Sequence, residues 1–481
     1  MVKLKFFINV AFISVFVGNA VAATKEPVPL STNAVNTNQP NERGFIYPSN
    51  YLATNDLTET SILFVYNDHI LEFFDNDAER LVEYINAGID FNNEAFYNSN
   101  IPLKRSVAGV LHADEAGLEF WSRNDTYVER LDALTDFQAT SQSEQLADSL
   151  QYSYLVGLAG FERLEGQDAI VGLSHLAGNV SWISPYTNET ATWSARTLAH
   201  ELGHNDGFRH TTTDHEHHHD YLARHDGTGF KCGKYASIMN ISGTRTEPFF
   251  SDTQVSLLEN GNQTPCGEMD VANSAQVYRD LANNKIRNAQ DTFRNLVPVR
   301  QTSGFVSVLE NINSVQEGQN LVFDVVFDGA EKGDSVSLVV KQKTADKSDF
   351  ESKLVHIMHN GTDNVYAISV GTKSDDESES TEVLEVELVF ANGVQIDENQ
   401  RTSQGEIVDS NDSSFSSDSV NAQVNASTTP VNNSTATNST NVTAQEPVQV
   451  NETAAQGGST STIVLMLLTA VLLGRRTKLN S

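Results

Sequence analysis

The order of apolar and polar residues divides the chain into contrasting stretches. Between residues 55 and 296, short apolar runs alternate with longer amphipathic ones. Residues 61–66, centred on the apolar run Ile62-Leu63-Phe64-Val65, predict a buried strand. Residues 78–97 repeat apolar side chains at helical spacing, 106–112 is strand-like, 141–158 is again helical and 169–173 again strand-like. Strands alternating with long helices predict an α/β (α+β) fold with a mixed, largely parallel sheet over residues 55–300.

Beyond residue 304 the apolar period shortens. Runs at 321–327, 335–340, 354–358, 365–370 and 383–390 are β-branched and aromatic, and Gly, Asp and Asn separate them. That pattern predicts an all-β, sandwich-like domain over 301–400, serving as a spacer or an accessory binding module. Residues 401–456 are rich in Ser, Thr, Asn and Gln and almost free of aromatic side chains. They cannot bury enough apolar surface to offset chain entropy, which predicts a disordered linker.

Both ends carry processing patterns. Lys3 and Lys5, the apolar residues 6–17 and Ala20-Val21-Ala22 predict a signal peptide over 1–22, hence export, followed by a short N-terminal segment over 23–54. An N-terminal membrane anchor is the alternative. At the far end Gly457-Gly458-Ser459 precedes an apolar run, 463–473, then Arg475, Arg476 and Lys478. This tail, 457–481, resembles the GlyGly-CTERM sorting signal of Gram-negative bacteria. The resemblance implies transient membrane association, then trimming and release to the cell surface or medium. A stop-transfer anchor with its basic residues on the cytoplasmic side is the other reading.

Charge narrows the partners. The chain holds 63 acidic against 31 basic side chains, a formal charge of −32, which argues against nucleic acid as a partner. Its two cysteines, Cys232 and Cys266, are too few for a four-thiolate site, so a metal must rely on histidine or carboxylate. Export permits a disulfide between them.

The segment His200-Glu201-Leu202-Gly203-His204-Asn205-Asp206-Gly207-Phe208-Arg209-His210 fits HExxHxxGxxH at every fixed position. Residues four apart on a helix lie on one face, so His200 and His204 can present ring nitrogens to one ion, while Leu198 and Leu202 mark the face turned to the core. Glu201 can reach a water on the metal without being a ligand. Gly207 suits a helix stop and chain reversal, which returns His210 as third ligand. Three imidazoles leave a fourth position of Zn2+ open, the arrangement of a catalytic rather than a structural site.

At this motif the sequence resembles the metzincin zinc peptidases, which share the extended motif and a later turn with a methionine beneath the metal. Ser237-Ile238-Met239 matches that turn, making Met239 the Met-turn residue. Pro248-Phe249-Phe250-Ser251 sharpens the resemblance towards the reprolysin or adamalysin-like branch, whose C-terminal helix corresponds to 273–295. Two positions depart from it: Thr211 stands where adamalysins carry Asp, and Ile241 where other members carry a tyrosine near the metal.

The resemblance implies an exported zinc metalloendopeptidase with one catalytic Zn2+ on His200, His204 and His210, Glu201 as general base, and protein or peptide substrates. A monomer is expected. Substrate is expected to lie extended beside an edge strand in the region 178–184, and Arg245, after the Met-turn, to border the pocket past the scissile bond. The histidine-rich loop 214–226 is read as a solvated polar loop, a second metal site being the alternative. The rival reading of the whole chain is a non-catalytic cell-surface adhesin or binding protein.

Overall fold

The computed structural model describes residues 11–13, 40–48, 57–118, 126–159, 171–185, 195–210, 227–240, 245–282, 297–309, 313–375 and 379–409, all within one unit spanning 1–422. The expected leader other than 11–13, the linker beyond 409, the sorting tail and the loop 214–226 lie outside the described residues.

In chain order the first elements are β1 (Ala11–Ile13), β2 (Phe45–Ile46), β3 (Thr58–Tyr66), α1 (Asp68–Phe73), α2 (Ala78–Asn98), β4 (Leu103–His112), α3 (Ala113–Ala116), α4 (Tyr127–Gln138) and α5 (Ser141–Leu150). Next come β5 (Tyr154–Leu158), β6 (Gly172–His175), β7 (Val180–Ile183), α6 (Arg196–Asn205), β8 (Lys231–Cys232), β9 (Tyr235–Ala236), β10 (Arg245–Thr246), β11 (Asp252–Glu259), β12 (Asn262–Cys266) and α7 (Ser274–Ala282). The remainder is all strand: β13 (Gly304–Val308), β14 (Asn313–Gln316), β15 (Asn320–Asp328), β16 (Ser335–Gln342), β17 (Leu354–Met358), β18 (Val365–Gly371), β19 (Glu382–Asn392), β20 (Val394–Ile396) and β21 (Thr402–Val408).

A six-stranded sheet, ordered β1-β6-β7-β5-β3-β4, supports the histidine segment. Strands β4, β3, β5 and β7 run parallel, whereas β6 is antiparallel to β7 and β1 antiparallel to β6. The period of two along β3 sends Ile62, Phe64 and Tyr66 into one apolar cluster with α2 and Leu198 and Leu202 of α6. Leu63 and Val65 point into the opposite cluster with Leu131, Leu134 and Phe137 of α4 and Leu150 of α5. Helix α2 starts where the Asp77 side chain accepts from the Glu79 and Arg80 amides. At Gly88 it lies so close to α6 that a Cβ there would stand 3.0 Å from Leu198 Cδ2.

The second half forms two facing sheets, β18-β15-β13-β20 and β14-β21-β19-β16-β17, closed over a cluster that includes Phe323, Val325, Leu338 and Leu388. Its core is continuous with the first half: Val339, Leu354 and Phe390 join the cluster around Phe64, and the Tyr66 hydroxyl donates to the Leu354 carbonyl at 3.0 Å. Strand β21 pairs with β14 and β19, so strand structure runs past the expected linker boundary at 401. Within the expected N-terminal segment, β2 pairs with β11.

The expected α/β, metzincin-like fold class does not hold. Among the described residues twenty-one strands in five sheets outnumber seven α-helices, and the chain is β-rich. One misread period and one stretch of short strands contribute to the difference. The helix expected over 141–158 ends at Leu150, where Gln151 turns left-handed at φ 52°, and Tyr154–Leu158 is a fully buried strand. Residues 231–266, given no elements beforehand, contain five strands of two to eight residues, too short for a periodicity to show.

Candidate metal centre

Helix α6 carries His200, Glu201 and His204, all three buried, with Leu198 and Leu202 anchoring it to the sheet. Its end is tied down from two sides. The Asn205 amide donates to the carbonyls of His175 and Val180, both at 3.0 Å, and the Ser181 hydroxyl donates to Asn205 Oδ1 at 3.1 Å. Asp206 accepts from Arg105 on β4 at 2.6 Å, from Tyr154 on β5 at 2.7 Å and from Tyr278 on α7 at 2.5 Å.

The chain then reverses at Gly207, with φ 93°, a conformation open to glycine at little cost. The amide of Phe208 donates to the Gly203 carbonyl at 2.9 Å, and His210 arrives beside the helix. It is held there because the Gly229 amide donates to the His210 carbonyl at 2.9 Å. This approach requires glycine at 229, where a Cβ would stand 2.4 Å from the Asn240 nitrogen and 2.5 Å from the His210 oxygen.

The structure thereby brings His200, His204 and His210 together, with one ring nitrogen of each inside a 4.8 Å group. His210 Nε2 lies 3.1 Å from His200 Nε2 and 2.9 Å from His204 Nε2. The other nitrogens settle the tautomers of His200 and His204. His200 Nδ1 is 2.9 Å from the Ile238 carbonyl and His204 Nδ1 is 2.7 Å from the Phe208 carbonyl. A carbonyl oxygen only accepts, so each Nδ1 carries the hydrogen and each of these Nε2 atoms presents a lone pair. Burial, reinforced by the neighbouring imidazoles and Arg196, holds His200 well below the usual histidine range, and burial with Arg196 brings His210 down to about 4.

Glu201 lies against β6. The Ser174 hydroxyl donates to its Oε2, while Oε1 meets no hydrogen-bond partner among the described residues. Burial pushes the Glu201 carboxyl up to about 8, against the Ser174 hydrogen bond, which draws it down. Met239 packs under the helix: a Cβ on Gly203 would stand 2.3 Å from the Met239 sulfur. Cys232 and Cys266 are joined in a disulfide whose ends are 34 residues apart in the chain.

Several site expectations fall elsewhere. The strand beside which substrate was expected, β7, is internal, between β5 and β6, and β6 is the strand beyond it. The side chain of Arg245 and the loop 214–226 lie outside the described residues. Sequence reasoning missed Ser174, the Ile238 carbonyl and the partners of Asp206, none of which belongs to a motif. It also missed an acidic group, Asp349, Glu379 and Glu382, whose oxygens lie within 4.8 Å of one another. Burial pushes Glu382 up to about 8, helped by Asp349, Glu379 and Asp346. The density of acidic residues over 374–382 was its only signal.

No protein-family model and no curated protein matches the chain. Solved structures with local likeness include the apo form of the Calx CBD1 domain, 17% identical over 22% of this chain and 96% of that one, with a TM-score of 0.21. The Calx CBD2 domain is 11% identical over 26% of this chain and 96% of that one, with a TM-score of 0.21. A chain in a chaperone–substrate complex is 17% identical over 50% of this chain and 37% of its own length, with a TM-score of 0.35. These similarities are too small to place the chain in a family.

Proposed function

We propose that the chain is an exported zinc-dependent endopeptidase. The observation that carries the reading is the convergence of three imidazole Nε2 atoms, two of them held as lone-pair donors by their Nδ1 contacts, beside a buried glutamate with one oxygen unclaimed among the described residues. With the His210 hydrogen on Nδ1, three lone pairs face one another 2.9 and 3.1 Å from the His210 nitrogen, an arrangement that a cation among them relieves. Two nitrogens on a tetrahedral zinc are about 3.3 Å apart, so the donor set fits that ion in kind and spacing. Three neutral nitrogen ligands with a carboxylate alongside suit a hydrolytic centre rather than a closed structural one. The likeness of residues 200–210 to the metzincin motif supports the chemistry alone.

Bound by His200, His204 and His210, zinc would supply Lewis acidity to a carbonyl and to a water. Glu201 accepts the proton that the water gives up as its oxygen attacks the scissile carbon, then delivers that proton to the departing amide nitrogen. A carboxyl near neutrality in its burial can both take and return a proton. Strand β6 orients the peptide. Its outer edge pairs antiparallel with an extended segment, Ala11–Ile13, in the register Phe12 opposite Ser174. Once a leader is removed, the same edge receives a substrate strand by main-chain pairing, with little demand on side-chain identity.

The test is a Glu201→Gln variant with metal content measured beside turnover of casein. It should keep one zinc per chain and lose on the order of 100-fold or more in kcat. A variant within about twofold of the parent would remove the assignment of Glu201. A zinc-loaded parent without turnover would favour a binding protein.

A further inference from the structure

The six-stranded sheet presents its strand β6 to the centre in two ways. Along the backbone, its edge is the one that accepts an extended partner, Phe12 lying opposite Ser174. On the side facing α6, the alternate positions Gly172 and Ser174 both touch Glu201. A Cβ at Gly172 would stand 2.6 Å from Glu201 Oε1 and 2.7 Å from its Cγ, so the carboxylate arm lies flat on the bare strand. Ser174, fully buried, donates its hydroxyl to Oε2. Leu173 between them turns to the opposite face, into the cluster with Trp182.

A carboxylate has two oxygens and a terminal torsion that rotates freely unless something fixes it. Here one oxygen is fixed and the other is left to act. Nothing else among the described residues hydrogen-bonds to this carboxylate: Oε1 has no partner, and the donor that Oε2 meets comes from β6.

We propose that Ser174 is a positioning residue that clamps Glu201 by its Oε2 and so presents Oε1 as the proton-accepting oxygen, on the same strand that pairs with the peptide. The proposal rests on the peptidase reading above for its kinetic consequence, though not for its structural one. Because the clamp and the peptide-binding edge belong to one strand, any shift of β6 on docking moves the base with the substrate.

Three zinc-loaded proteins, the parent, Ser174→Ala and Ser174→Thr, test it by peptide kinetics and by crystal structures. Ser174→Ala should lower kcat by roughly 10- to 100-fold, the worth of a hydrogen bond to a charged group, while KM stays within about twofold and zinc content is unchanged. Ser174→Thr, which keeps the hydroxyl, should regain most of the rate. In the crystal of Ser174→Ala the Glu201 carboxylate should leave its place or take more than one, and in Ser174→Thr it should hold the parent position. Should Ser174→Ala fail to fold, Ser174→Cys keeps the volume with a weaker donor and takes its place.

A Ser174→Ala enzyme with the parent kcat, or one whose Glu201 carboxylate has not moved, overturns the clamp. If the zinc-loaded parent hydrolyses nothing, the peptidase reading fails, and the position of Glu201 in the Ser174→Ala crystal still decides the clamp.

Discussion

Asp206, two residues beyond His204 and four before His210, offers the most direct measure of how the fold holds the centre. Its buried carboxylate meets a fully buried guanidinium, Arg105 at 2.6 Å, and two buried phenols, Tyr154 at 2.7 Å and Tyr278 at 2.5 Å. Arg105 is sandwiched further, 4.4 Å from the Tyr154 ring centroid and 5.4 Å from that of Phe96. Asp206→Ala removes one side of the ion pair and leaves the cation out of water, which costs about 3–5 kcal/mol. Against a total stability of about 5–15 kcal/mol, that loss brings the variant near unfolding. The assay is urea unfolding followed by circular dichroism on chelator-treated protein, so that zinc binding does not mask the effect. An Asp206→Leu, Arg105→Met double variant removes both charges and should recover part of the loss, because an apolar pair of similar volume often matches a buried ion pair, while the Tyr154 and Tyr278 hydroxyls still lose their acceptor. Zinc affinity should fall in Asp206→Ala by roughly 10- to 100-fold, since the reversal that delivers His210 loses its anchor. A cost below about 1 kcal/mol for Asp206→Ala, or a double variant no more stable than Asp206→Ala, would refute this account of how the reversal is held.

Three further outcomes are expected. Replacing Cys232 and Cys266 by serine opens a loop whose ends are 34 residues apart and should cost about 4 kcal/mol by the chain-entropy relation, read from the shift in the urea midpoint. Gly203→Ala forces the Met239 sulfur away from the helix and should cost about 1–3 kcal/mol with a drop in zinc content, checked by melting and metal analysis. His356 keeps some surface as a residue, yet its Nε2 is buried without a partner among the described residues, and burial lowers its pKa from 6.5 to about 4. Its stabilising contribution is present above pH 6.5, where both states are neutral, and is lost as pH falls to about 4, up to ~3 kcal/mol. His356→Gln should flatten that part of the stability curve, and an unchanged acid limb would remove His356 as its source.

The parts of this molecule that were legible in the sequence are those set by short separations. Leu198 and Leu202 mark the face of α6 that meets the apolar cluster, His200 and His204 share another, and the left-handed Gly207 lets the chain return His210 within six residues. What stayed hidden depends on chain that arrives from far away. The carbonyl that orients His200 belongs to Ile238, 38 residues on, and a backbone carbonyl is chemically the same in any residue. Ser174 is 27 residues from Glu201, and Arg105 is 101 from Asp206, so neither spacing has a period to detect. The error in fold class has the same origin. A nine-residue strand such as β3 shows its burial in composition, whereas β8, β9 and β10 have two residues each and exist only because a partner strand completes their hydrogen bonds. Helices close their own hydrogen bonds locally and so advertise themselves. A chain dominated by pairing between distant segments therefore reads as more helical than it is, and its histidine cluster is more legible than the groups that aim those side chains.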